Sequence, residues 1–232
     1  MIDAPRIVVL TPCGEKVDYE HSRSVSYLKR FGVQVLQIHG VTSIDVARAI
    51  LATQGMDSGV DIMFWIDSDI VFDASAVLSV ARHCHEGPYA VLGAAYSARS
   101  RGKGLAVSFP VETKRVTFYA PGVHPAHAVG MGFTAVRTEV FATLAHSLEK
   151  VSVGNPNAGV RVWPFFLPMV VNGAYLQDDW AFCHRATEVG FKVGIDVEPR
   201  VLHKGSHMFT VEDGLTSPST GEPFEAVFGG EP

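Results

Sequence analysis

Two kinds of hydrophobic pattern alternate along the first hundred residues. Short, almost continuously apolar runs at 6–12, 61–66 and 90–96 predict strands covered on both faces, and the alternating run at 33–38 predicts another strand. Between them lie stretches with helical spacing. The first, at 20–31, stops at Gly32, and the second opens at a capping-box-like Thr42-Ser43-Ile44-Asp45, runs to about Gln54 and ends at Gly55. A third follows Asp73, a candidate N-cap, over 74–84. Strand–helix alternation of this kind predicts βαβ units and a mainly parallel sheet flanked by helices.

Beyond residue 100 the pattern loosens, as expected of a smaller mixed β region. Strands are predicted at 104–109, 115–119, 128–136 and 191–197, and helices at 138–148 and 179–189, the latter closed by Gly190. Residues 151–176 read as an aromatic loop carrying Trp163, Phe165, Phe166 and Tyr175. Gly, Pro, Ser and Thr crowd the end of the chain, so residues 206–232 are expected to be a mobile tail or flap. No repeat or linker interrupts the sequence, which predicts one domain over 1–232.

Composition narrows the classes. With 232 residues, 47% apolar and 19% charged, the chain is long enough to bury roughly 70% of its unfolded surface without disulfides. The formal net charge of −5 argues against a protein that lives on phosphate-backbone contacts. Cys13, Cys84 and Cys183 are odd in number and far apart, and are expected as reduced, buried thiols. With no apolar run of 18 residues and no signal-like start, the expected location is cytoplasmic.

The chemistry concentrates in three places. Asp67-Ser68-Asp69 follows the 61–66 strand at the end that faces the ligand crevice of an open α/β sheet. Two carboxylates so close repel unless a cation lies between them, and oxygen ligands favour Mg²⁺ or Mn²⁺, which bridge diphosphate oxygens. Asp178 and Asp179 stand at a helix start, where one carboxylate suffices for capping and the second is free to act as a general base. His203 would add an imidazole to the two aspartates and favour Mn²⁺, whereas His124 and His127 lack zinc partners and read as loop residues. Thr11-Pro12 ends the first strand where a nucleotide would lie. Gly130 and Gly132 mark either a close backbone approach to a ligand or a bulged strand.

In order and spacing these residues resemble the GT-A glycosyltransferases, in particular small bacterial and phage-type members similar to glycosyltransferase family 2. The resemblance spans about residues 5–207. It rests on Ala47-Arg48-Ala49 (where the family has Asn third), Phe64 to Ile70, Val91 to Tyr96, Gly130 to Phe133, Asp178-Asp179-Trp180-Ala181-Phe182-Cys183 (Glu is usual at the first position), Gly190 to Val193, and Leu202-His203-Lys204-Gly205.

The resemblance implies a Rossmann-like fold with a nucleotide-binding half at 1–100 and an acceptor and catalytic half at 101–205. It implies a nucleoside-diphosphate-sugar donor, UDP-sugar favoured, contacted by Thr11, Pro12, Arg48, Asp67 and Ser68. Asp67, Asp69 and His203 would hold Mn²⁺ or Mg²⁺, and Asp179, with Asp178 beside it, would serve as base. The acceptor is left open among a glycan, a protein and hydroxymethylated DNA. A basic loop at Arg99, Arg101 and Lys103, and stacking by Trp163 or Phe166, are the expected acceptor contacts.

Two alternatives stay open: a haloacid-dehalogenase-like phosphatase with Asp67 as nucleophile and Asp69 as general acid, and an inactive sugar-nucleotide-binding module.

Overall fold

The computed structural model describes residues 4–99, 102, 104–154, 159–215, 217 and 220–228. Of the basic loop, Arg101 and Lys103 lie outside the described residues. Seven strands form the central sheet: β1 (Ile7–Cys13), β2 (Gln34–His39), β3 (Ile62–Ile66), β4 (Val91–Ala94), β5 (Val123–Pro125), β6 (Phe133–Arg137) and β7 (Val193–Asp196). The described helices are α1 (Tyr19–Lys29), α2 (Ile44–Met56), α3 (Ala74–Glu86), α4 (Thr138–Ala145), α5 (Asp178–Glu188) and the short α6 (Val211–Leu215). None is long and apolar enough to cross a membrane.

The sheet order is β2-β1-β3-β6-β4-β7-β5. β1 runs parallel to β2 and β3, and β4 parallel to β7, while β6 lies antiparallel between β3 and β4 and β5 antiparallel at the edge. The expected mainly parallel sheet is therefore present, with two reversed strands.

Side chains alternate between two cores. Val8, Leu10, Met63 and Trp65 face α2, α4 and α5, where Leu51, Phe141 and Phe182 wait. Val9, Ile62, Phe64 and Ile66 face α1 and α3, meeting Leu28, Val77 and Val80. Both faces are covered, which is why β3 reads as an uninterrupted apolar run.

Several expectations shift. Gly55 does not end α2 but sits inside it, because a Cβ there would come within 2.7 Å of Met63 in the sheet below. The strand predicted over 128–136 breaks into Ala128–Val129 and β6, parted by Gly130-Met131-Gly132. Within 151–176, Met169–Val171 and Ala174–Leu176 pair as a hairpin. Its two-residue turn, Asn172-Gly173, has both φ angles positive, at 49° and 81°.

Phe165 and Phe166 are fully buried among Trp65, Phe141 and Phe182, so Phe166 is core and has no face to offer a sugar. Trp163 is half-buried, with the Lys150 ammonium 3.8 Å from its ring centre. In the segment expected as a tail, Phe224–Val227 pairs with Arg115–Phe118, and Phe224 stacks on Phe118. The described part of that segment is thus packed against the body of the molecule.

Candidate functional site

The D-S-D turn continues the sheet by one step. Asp67 N–H donates to the Gly132 carbonyl at 3.0 Å, and Ile70 N–H returns to the Asp67 carbonyl at 3.0 Å. Ile70–Val71 then pairs with Leu202–Lys204, setting His203 opposite Ile70. Gly132 N–H donates to the Tyr96 hydroxyl at 2.9 Å. A Cβ at Gly132 would lie 2.6 Å from that oxygen and 3.3 Å from Asp67 Oδ2. The close approach at the two glycines is thus to the buried Tyr96, within the chain itself.

Arg48 projects from α2 into the wall, its side chain only 5% exposed. One Nη grips both Asp67 oxygens at 2.9 and 3.1 Å, and the other pairs with Asp178. Burial works against this charge, but Asp67, Asp178 and Asp179 surround it and hold the guanidinium protonated, its pKa above that of free arginine. Asp178 is therefore committed to Arg48.

Asp179 differs. It is partly exposed, accepts the Trp180 N–H at 2.8 Å, and has no ion pair among the described residues. Burial, with Asp178 close by, pushes its pKa up to about 6. That is a carboxylate poised to take a proton near neutral pH.

Asp69 faces His203, with 3.4 Å between Oδ2 and Nε2. His203 Nδ1 lies 2.8 Å from the Ser97 carbonyl, and Nε2 accepts from Arg99 Nε at 2.9 Å. These partners place the proton on Nδ1 and leave the Nε2 lone pair directed at a cation. Arg99 supplies that cation here, pairing with Asp69 as well. Burial raises the Asp69 carboxyl, but His203 and the Arg99 guanidinium beside it outweigh burial, and its pKa lies below the ordinary value. The other Asp69 oxygen is buried and has no hydrogen-bond partner among the described residues. A carboxylate with one oxygen orphaned and the other facing an imidazole is a donor set that suits Mn²⁺.

Asp67, Asp69 and His203 are not drawn together as three ligands, since Asp67 is turned to Arg48. Among the described residues, the group whose three ligand atoms all lie within 4.8 Å of one another is elsewhere, at His83, Asp196 and Glu198.

A cleft of about 300 Å³ opens past the C-terminal ends of β1 and β3, lined by Pro12, Cys13, Asp67, Ser68, Asp69 and Arg99 among others. Thr11 and Arg48, expected as nucleotide contacts, are buried beneath it. Sequence reasoning missed His21. Wholly buried on α1, it sets Nδ1 2.9 Å from the Ile70 carbonyl and so fastens the strand that follows Asp69. Its Nε2 is a further buried atom with no hydrogen-bond partner among the described residues. Nothing in the local pattern marks this histidine, because its partner is 49 residues away.

No family model matches the chain, and no curated protein matches it in sequence. Its fold is nevertheless shared. The structure described as A197 from STIV superposes with a TM-score of 0.61 at 14% identity, over 90% of this chain and 91% of that one. The structure described as GalNAc-T7 with UDP, GalNAc and Mn2+ superposes with a TM-score of 0.51 at 9% identity, over 88% of this chain but 44% of that one. The architecture is a Rossmann-like GT-A fold.

Proposed function

We propose that this chain is a metal-dependent glycosyltransferase that moves a sugar from a nucleoside-diphosphate sugar, UDP-sugar favoured, to an acceptor hydroxyl with inversion. The observation that carries it is the division of labour among the carboxylates at one sheet edge. Asp178 is paired with Arg48, Asp69 faces His203 and pairs with Arg99, and Asp179 forms no ion pair among the described residues and has a raised pKa. The fold likeness to a protein whose structure holds UDP, GalNAc and Mn²⁺ supports the same reading.

In this scheme Asp69 and His203 hold Mn²⁺ or Mg²⁺, with Asp67 in the adjoining wall. When bound there, the ion would supply positive charge to a departing diphosphate. Pro12 and Ser68 line the donor cleft, while the buried Thr11 and Arg48 support it from below. Arg48 fixes Asp67 and screens Asp178, so the carboxylate that remains reactive is Asp179. Deprotonated, Asp179 accepts the proton of the acceptor hydroxyl as that oxygen attacks the anomeric carbon in line. Residues 1–100 act as the donor half and 101–205 as the acceptor half, and the acceptor is drawn from glycans, proteins and hydroxymethylated DNA.

The phosphatase alternative has less support. Its nucleophile would be Asp67, and both oxygens of that carboxylate are engaged by a buried arginine.

Calorimetry with UDP and GDP, with and without Mn²⁺, tests the proposal. We expect Mn²⁺-dependent binding of one nucleotide, lost in Asp69→Asn. Asp179→Asn should retain that binding and lose turnover of the donor by roughly 10²–10⁴-fold. Absence of nucleotide binding, or full turnover by Asp179→Asn, would overturn it.

A further inference from the structure

Away from the D-S-D cleft, three more groups converge. His83 sits in the last turn of α3, Asp196 is the last residue of β7, and Glu198 follows two residues later. One ligand atom from each lies within 4.8 Å of the other two. His83 Nδ1 is 2.7 Å from Asp196 Oδ2, and the second Asp196 oxygen accepts the Glu198 amide N–H at 3.1 Å.

The surroundings suit a cation. Asp196 is fully buried, Glu198 is exposed and the His83 side chain is 30% exposed, giving a closed floor and an open mouth. A cavity of about 380 Å³ adjoins, lined by His83, Glu198, Glu86 and Gly122 among others, so a third carboxylate stands at its rim. The C-terminal end of α3 adds its own partial negative charge.

We propose that His83, Asp196 and Glu198 form a second cation site, for a zinc-like transition dication, joining α3 to the end of β7. One imidazole and two carboxylates select Zn²⁺ over Mg²⁺, which prefers all-oxygen octahedral surroundings. Three protein ligands leave a fourth position for water or for Glu86. The bond would tie residues 113 apart in sequence, and an ion that binds only the folded chain stabilises it by mass action. This proposal stands apart from the glycosyltransferase reading and uses none of its residues.

The test is equilibrium dialysis of the full chain, stripped with chelator, against Zn²⁺ and Co²⁺. The Asp69→Asn, His203→Asn double variant should still bind one ion, and bound Co²⁺ should show a visible band typical of nitrogen ligation. Adding Glu198→Gln, at an exposed position, should weaken that binding about tenfold or more, since even losing a group that supports a ligand costs as much. Adding His83→Asn should abolish the band and the Zn²⁺-induced rise in Tm. No ion on the double variant, or affinities and spectra unchanged by Glu198→Gln and His83→Asn, would overturn the site.

Discussion

A largely desolvated carboxylate with no ion pair of its own weakens the fold whenever it is ionised, and Asp179, unpaired among the described residues, is such a group. Its pKa rises from 3.8 in the unfolded chain to about 6 in the native one. The native state therefore binds the proton more tightly, and stability falls as pH rises between those values and is level above the upper one. The cost at neutral pH is up to about 3 kcal/mol. Asp179→Asn should then be more stable than the natural chain at pH 8 and no more stable at pH 4, a difference read by denaturant titration at each pH. A stabilising variant at the proposed base is the trade expected where a group is held for chemistry instead of for packing. Turnover of the natural chain should correspondingly rise with pH through about 6.

Between elements, what positions the site is the approach of β6 to the residues after β4. Gly132→Ala would drive a methyl against the Tyr96 hydroxyl, which is buried and has nowhere to go. We expect a loss of about 1–3 kcal/mol together with weaker Mn²⁺-dependent nucleotide binding, because Asp67 hangs from the Gly132 carbonyl. Gly173→Ala, at φ 81° in the hairpin turn, should cost about 1 kcal/mol and leave nucleotide affinity alone. Calorimetry and thermal melts of the two variants separate these outcomes.

The same scale explains what could be read in advance. β3 and the aspartates after it were legible because burial on both faces writes a continuous apolar run. The Asn172-Gly173 hairpin carried a readable turn signal, but the aromatic residues before it drew the whole of 151–176 toward a loop. Gly55 looked like a helix stop, because one sequence cannot distinguish a terminating glycine from one that lets a helix lie close to a sheet. The roles of Arg48, His21 and Phe166 depend on partners 16 to 130 residues away, and no local pattern encodes them.

Across the whole molecule, the two cores are sampled by two thiols. Cys84 belongs to the core under α1 and α3, and Cys183 to the one under α4 and α5. Both are fully buried, and burial pushes each thiol up to about 12. Cys13, pushed up to about 11, lines the cleft and is slightly exposed. An aromatic disulfide reagent should therefore find Cys84 and Cys183 inert in the native chain. Both should become reactive together across one denaturant transition if the sheet unfolds as a unit, whereas two separate transitions would mean that the two faces come apart independently.

One feature joins those faces to the chain's full length. Arg48 reaches from α2 to Asp67 after β3 and to Asp178 at the start of α5, a span of 130 residues for the longer contact. Loop-closure entropy makes so distant a meeting a late event in folding. An interaction absent from the transition state acts on the rate of unfolding and hardly on the rate of folding. Arg48→Met should thus leave the refolding arm of a chevron nearly unchanged and steepen escape from the native state. The guanidinium that organises the carboxylates is, in kinetic terms, the latch that keeps the finished molecule from opening.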